Sequence, residues 1–322
     1  MTGTSPATKT VATRVPGRWR APSWTLADAP RQDGRSAVVT GGNAGLGYEV
    51  ALGLARLGAE VVLACRSTDR AGTAAARIRA AVPGARVQAR RLDLASLDSV
   101  AAFARDLRAE RRDLDLLVNN AGIMAVDEGR TADGLELQLG TNHLGHFALT
   151  AQLLPLLLSA PGSRVATMSS MGHRAGRLAP DDLMGTRRGY DRWRAYFQSK
   201  LANLLFTAEL DRRLRAAAAP TIAVAAHPGA SRTDLGTEGT SASNRAMRHV
   251  VPALTQPART GALPMLRAVT APDVVGGEFY GPRFVVLGHP VREVPSRPAR
   301  RADDARLLWE ASERLTGITA PV

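Results

Sequence analysis

Ala37-Val38-Val39-Thr40-Gly41-Gly42-Asn43-Ala44-Gly45-Leu46-Gly47-Tyr48 runs an apolar segment straight into a cluster of glycines. The apolar half reads as a short buried strand, and residues 48–57 read as a helix. Glycine permits a tight turn between the two and lets the backbone approach a bound pyrophosphate, whose charge meets the helix N-terminus. An ordinary strand-to-helix connection would look similar. The strand before and the helix after make Gly41, Asn43, Gly45, Leu46 and Gly47 candidate cofactor contacts.

Working outward, the same alternation repeats. Further strands are expected at residues 61–64, 87–92, 114–118, 164–168 and 221–226, with helical stretches between them, including 70–81. Strands that are apolar at consecutive positions are covered on both faces, and their alternation with helices predicts a parallel sheet. The expected fold is α/β, a single doubly wound parallel sheet of Rossmann type with helices on both faces. Residues 1–34, rich in Pro, Arg, Thr and Ser, read as a loosely held arm whose end Trp24 and Leu26 pin to a domain spanning 35–322. Residues 234–244 hold Gly, Thr, Ser and Glu after a strand end, and are expected to open a substrate loop at about 234–262. Residues 295–301 read as a surface excursion before a last helix through Leu307, Leu308 and Trp309.

Composition narrows the function classes. Of 322 residues, 45% are hydrophobic and 22% charged, and no apolar run approaches the ~20 residues that span a bilayer. No apolar stretch follows Arg14, Arg18 and Arg20, so no secretory signal and no membrane insertion are expected. The single cysteine, Cys65, excludes an internal disulfide and suits a cytoplasmic setting. Forty-two basic against 29 acidic residues give a net charge of +13. The arginines are scattered, as in Arg105, Arg108, Arg111 and Arg112, without interleaved aromatics, so a nucleic-acid partner is not expected.

Two positions carry the chemistry. At the end of the second strand an NAD site would place Asp or Glu on the ribose 2′-hydroxyl. Here Arg66 stands instead, able to pair with a 2′-phosphate, so NADP(H) is preferred over NAD(H). Tyr196 and Lys200 lie four apart, on one face of a helix. A phenol of pKa ~10 needs a neighbouring cation to work near neutrality, and Lys200, the only lysine besides Lys9, supplies it.

With these residues the chain resembles the classical short-chain dehydrogenase/reductase family over about residues 35–290, and within it the retinol-dehydrogenase-like branch. The resemblance extends to Asp93-Leu94, Asn119-Asn120-Ala121-Gly122, Asn142, Ser169-Ser170, His227-Pro228-Gly229, Trp24-Thr25 and Gly276 through Pro282. It implies an NADP(H)-dependent oxidoreductase, of the alcohol dehydrogenase or carbonyl reductase type, acting on a small-molecule carbonyl or alcohol. Asp93 and Leu94 would meet adenine, and Asn120, Ala121 and Gly122 the ribose. Pro228, Gly229 and Thr233 would lie beside the nicotinamide. Asn142 would hold a water linking Lys200 to solvent, Ser170 (or its neighbour Ser169) would bind the substrate oxygen, and Tyr196 would exchange the proton. A homodimer is an option that the family also offers.

Other readings are weaker. His143 and His146 are three apart with no third ligand, so no metal is expected. Cys65 reads as a buried thiol, and Tyr190 as cover for the pocket, its fourth neighbour being Arg194. Leu178, Leu183, Met184 and Trp193, with Met247, Val250, Val251 and Leu254, suggest a roomy apolar pocket for a lipophilic substrate. The alternative function is a non-catalytic NADP(H)-binding sensor or scaffold, which would need neither Tyr196 nor Lys200.

Overall fold

Val38, Val62, Ala64 and Leu117 bury their side chains in one apolar cluster, while their strand neighbours Val39, Val61, Leu63 and Val118 bury theirs in another. Successive side chains leave a strand on opposite faces, so consecutive apolar residues require cover on both sides. The computed structural model describes residues 23–231 and 255–322. Within them the elements run β1 (Ser36–Thr40), α1 (Gly45–Arg56), β2 (Glu60–Cys65), α2 (Thr68–Ala81), β3 (Val87–Arg91), α3 (Leu97–Glu110), β4 (Leu116–Asn119) and the single turn α4 (Leu137–Leu139). There follow α5 (Gly145–Leu158), β5 (Arg164–Met168), α6 (Arg192–Ala216), β6 (Ile222–Ala226), α7 (Ala258–Gly261), α8 (Leu263–Thr270), β7 (Phe279–Pro282), β8 (Pro290–Glu293) and α9 (Ala302–Thr316).

The strands form one sheet in the order β3-β2-β1-β4-β5-β6-β7-β8. The pairings from β3 to β7 are parallel, and β8 closes the edge antiparallel to β7. The doubly wound fold is as expected. The order reverses between β1 and β4, the point at which open α/β sheets bind ligands beyond their strand ends. Helices α1, α2 and α8 contribute Val50, Leu54, Ile78, Met265 and Leu266 to one cluster; α3 and α5 contribute Phe103, Leu107, Phe147 and Leu153 to the other. Each such side chain, fully buried, adds roughly 1.5–3 kcal/mol.

Helix α6 differs from the surface helices. Its run from Gln198 to Thr207 is buried at every position, with α9 as its outer cover. Trp309 of α9 sits edge-on to Phe147 at 5.1 Å and stacks on Phe206 at 6.0 Å, beneath the Arg213 guanidinium at 4.4 Å. At the start of the described chain, Trp24 and Leu26 pack against the α1 side of the sheet.

Residues 295–301 are more than a surface excursion: Ala299 is buried, and the Ser296 amide reaches into the core. The β7–β8 hairpin had no reading as strands. Its arms are four residues each; Pro282 ends β7 beyond the two residues that pair with β6, and Pro290 opens β8 at the sheet edge.

Candidate active site

The glycine turn is held by one side chain. Thr40 Oγ1, at the end of β1, accepts the amides of Asn120 and Ala121, both at 2.9 Å, and lies 2.9 Å from His146 Nε2. The Asn120 amide group donates back to Thr40 O at 2.9 Å, so β1 and the end of β4 are locked together. Gly47 packs so closely that a Cβ would sit 2.3 Å from Gly41 O and 2.5 Å from Asn120 Nδ2. Helices α2, α3 and α6 begin with a side-chain cap from Ser67, Ser96 and Asp191, whereas α1 has none and no acidic residue in its first turn. Among the described residues its leading N–H groups have no side-chain partner, which fits the pyrophosphate of a dinucleotide.

Helix α6 carries Tyr196 and Lys200 one turn apart, both buried. The Lys200 ammonium lies 5.8 Å from the Tyr196 ring centroid and 3.4 Å from Met168 O at the end of β5. Burial pulls the lysine pKa down to about 8. Burial also pushes the Tyr196 phenol up to about 12, against the opposing hydrogen bond with Ser170. Lys200 was expected to lower the tyrosine pKa; in the protein alone desolvation wins, because neither group is open to water. Tyr196 thus rests as a neutral phenol, the proton-donating form.

The two neighbouring serines differ. Ser169 Oγ donates to Lys200 O at 2.8 Å and is buried. Ser170 Oγ accepts from the Gly172 amide at 3.1 Å and lies beside the Tyr196 hydroxyl. Asn142 belongs to a π-turn, Gly140–Leu144, a distortion often found at functional sites. Its Nδ2 donates to Ile123 O and Ser199 Oγ, both at 2.9 Å, and its Oδ1 accepts from the Ile123 amide at 2.8 Å. Both amide hydrogens are spent clamping α6 to the loop after β4, so only oxygen lone pairs are left for a water. A Cβ on Gly122 would sit 3.0 Å from Asn142 Oδ1 and 3.2 Å from Lys200 Nζ. Asn142, Ser170, Tyr196, Lys200 and Gly122 therefore converge beyond β4 and β5.

The remaining candidates ring this centre. Arg66 follows β2, is exposed, and makes no ion pair or side-chain hydrogen bond among the described residues. Asp93 caps the turn into α3, accepting from Ala95 N at 3.0 Å. Leu94 is buried and packs its carbonyl against Gly145. Pro228 and Gly229 follow β6, Gly229 with φ +65°. Thr233, residues 234–254 of the substrate loop, and with them Met247, Val250, Val251 and Leu254, lie outside the described residues.

The secondary candidates have structural employment. His146 holds Asn142 O at 3.0 Å and Thr40 Oγ1, and His143 holds Ser312 Oγ at 2.8 Å. The Cys65 thiol is buried and pushed up to about 11 by desolvation. Tyr190 donates to Val126 O at 2.9 Å and accepts from Gln138 at 2.8 Å. Leu183 is buried in the cluster under α6, with Leu178 and Met184 against it. Trp193 lies 6.4 Å from the Tyr196 ring. Two buried histidines not singled out as site residues stand close by: His173, three residues after Ser170, and His227, two before Gly229. An i, i+3 spacing from the serine was the only signal for the first.

Residues 35–244 match the family model for short chain dehydrogenase. Retinol dehydrogenase 13 of Homo sapiens is 39% identical over 295 residues, which cover 89% of this chain and 86% of the relative. The crystal structure of an uncharacterized protein from Mycobacterium Paratuberculosis is similar with a TM-score of 0.79 at 45% identity, covering 93% of this chain and 100% of that one. A protein of Beutenbergia cavernae described as an NAD(P) dependent gluconate 5-dehydrogenase, with bound NADP, is similar at a TM-score of 0.60 and 27% identity, covering 78% and 96% of the two chains.

Proposed function

The chain belongs to the short-chain dehydrogenase family, in its retinol-dehydrogenase-like branch, and from that premise we propose that this oxidoreductase uses NADP(H) to interconvert a lipophilic carbonyl and its alcohol. The observation that carries the reading is the meeting of Ser170, Tyr196, Lys200 and Asn142 beside a glycine turn whose helix start is left uncapped.

The turn of Gly41, Asn43, Gly45, Leu46 and Gly47 would hold the pyrophosphate on the free amides of α1. Asp93 and Leu94 would meet adenine, Asn120, Ala121 and Gly122 the ribose, and Pro228 and Gly229 the nicotinamide. When bound, the nicotinamide supplies or takes up the hydride. Ser170 Oγ steadies the substrate oxygen, and Tyr196 gives it a proton in the reductive direction. Lys200 faces the tyrosinate left behind and offsets its charge. Asn142 keeps α6 in place through Ser199 and Ile123 and offers oxygen to a water beside Lys200.

The 2′-phosphate would fall to Arg66. Arg91, which pairs with Cys65 in the β2–β3 register, is a second exposed arginine at this corner. Losing one charge-assisted contact is worth ~1.5–3 kcal/mol. Arg66→Ala is therefore expected to shrink the NADPH-over-NADH ratio of kcat/KM by about 10-fold or more. Equal use of both cofactors by the unmutated protein would contradict the assignment.

The retinol dehydrogenase relatives and the apolar residues around Trp193 support a lipophilic substrate. A homodimer through the outer face of α6 is disfavoured, since α9 packs there. No helix among the described residues is long and apolar enough to cross a membrane; a cytoplasmic setting is part of the proposal, to be checked by cell fractionation. The deciding experiment is NADPH consumption against a panel of aldehydes, ketones and polycyclic carbonyls. Turnover establishes the reductase; tight NADPH binding with no turnover on any compound turns the reading to a sensor.

A further inference from the structure

Both loops that frame the proposed reaction centre are tied by a histidine to the end of β8 or to the segment just after it. After β5, His173 Nδ1 lies 2.7 Å from Ser170 O. A carbonyl can only accept, so Nδ1 carries the proton and Nε2 is free to accept the Ser296 amide, which it does at 3.3 Å. After β6, His227 Nδ1 accepts the Gly229 amide at 3.2 Å, which puts the proton on Nε2, and Nε2 donates to Glu293 Oε1 at 2.9 Å. Phe279 lies between the two rings, 5.4 Å from His173 and 5.2 Å from His227. Arg174 closes the group with an ion pair to Glu293 at 3.2 Å.

The sheet makes room for this link. A Cβ on Gly281 of β7 would sit 2.1 Å from His227 Nε2 and 2.2 Å from Glu293 Oε1, so the bond passes where any other residue would place a side chain. Both histidines are buried, and desolvation pulls His173 down to about 4, which keeps it in the neutral tautomer that the two bonds need. Glu293 is partly buried, and His227 and Arg174 outweigh its desolvation and hold its carboxyl below the ordinary range, so the link across 66 residues rests on a carboxylate that stays charged.

We propose that β8 and the residues just after it form a positioning element of the active site, with Ser296 holding His173 against Ser170 and the His227–Glu293 pair orienting Gly229. This rests on the reading of Ser170 as the substrate-oxygen ligand and of Pro228-Gly229 as the nicotinamide wall. The two arms then have separable consequences: His227–Glu293 governs the nicotinamide end of the cofactor site, and His173 governs the reaction of bound substrate.

The test uses NADPH and 2′,5′-ADP, the latter carrying only the adenine half, with kcat on the best carbonyl of the panel. Glu293→Ala and Gly281→Ala are expected to weaken NADPH by about 10-fold, with Glu293→Gln, which keeps an acceptor oxygen, restoring most of it. Affinity for 2′,5′-ADP should hold throughout. His173→Phe keeps the ring packing and removes the donor; it should bind NADPH normally and lose up to about 100-fold in kcat, with recovery in His173→Asn. Unchanged NADPH affinity in Glu293→Ala, parallel loss of both nucleotides, or no recovery in Glu293→Gln would overturn the proposal. Absence of turnover in the unmutated protein would instead refute the reductase reading, and the contrast between the two nucleotides would still decide the role of Glu293.

Discussion

Tyr196→Phe is expected to lower kcat by about 10²- to 10⁴-fold, the usual worth of a positioned general acid, while NADPH still binds. The phenyl ring keeps its neighbours, Trp193 at 6.4 Å and Phe197 at 5.9 Å, so the pocket wall survives. What disappears is the hydroxyl beside Ser170. Because burial holds that phenol at about 12, its proton is present across the whole neutral range, ready for transfer to a substrate oxygen. Among the described residues, the two other candidate hydroxyls for this role are already engaged. Tyr190 has its own hydroxyl committed to Val126 O and Gln138, and Ser169 is bonded to Lys200 O. Steady-state rates and an NADPH fluorescence titration on the same preparation measure the two effects separately. A mutant as fast as its parent would end the proposed mechanism.

Lys200→Met should trade activity for stability. Turnover is expected to fall by about 10²- to 10³-fold, the scale on which a charge facing a developing anion contributes. Stability should move the other way. The folded pKa of Lys200 lies at about 8, below the ~10.4 of an unfolded lysine. Below pH 8 both states are protonated and the folded protein bears the full cost of a buried ammonium. Between about 8 and 10.4 the unfolded chain keeps a proton that the folded one has released, so stability rises with pH across that window. Methionine removes the cost, on the order of 3 kcal/mol at ~1.4 kcal/mol per unit. The mutant should melt higher than the parent at pH 7, and the gap should close by pH 10.5. In the parent, kcat/KM for reduction should decline as pH rises past about 8 and the ammonium is lost. A mutant that melts lower at pH 7 would show that the ammonium is well solvated or paired where it lies.

Much of the site was legible because its signals are local. Tyr196 and Lys200 fall one turn apart in any helix, whatever surrounds it. The glycine turn announces itself through backbone freedom, and Arg66 through its distance from that turn. The strands were legible because residues such as Val38-Val39 and Val61-Val62-Leu63 are apolar on both faces, which only a covered parallel sheet requires. Boundaries drifted by one to three residues, as for α1, which begins at Gly45 rather than Tyr48, because a helix starts where the backbone leaves the extended region, here after Ala44, a point that side-chain periodicity does not record.

What tertiary structure decided came from contacts between remote segments. The choice between Ser169 and Ser170 rests on which hydroxyl α6 consumes. The resting state of Tyr196 depends on desolvation, a property of everything packed around it, and reversed the expectation drawn from Lys200 alone. Asn142 became a clamp through Ser199, 57 residues away, and His173 met Ser296 across 123 residues. The β7–β8 hairpin left no periodic trace in four-residue arms, yet it carries Glu293 to His227. The fold and the Tyr196–Lys200 spacing were thus readable from the chain alone, since both follow from backbone geometry over a few residues. Orientation, ionisation and the bracing of the two loops were decided only in three dimensions, where hydrogen-bond partners and exclusion of water are set by whichever chain segments the sheet brings together.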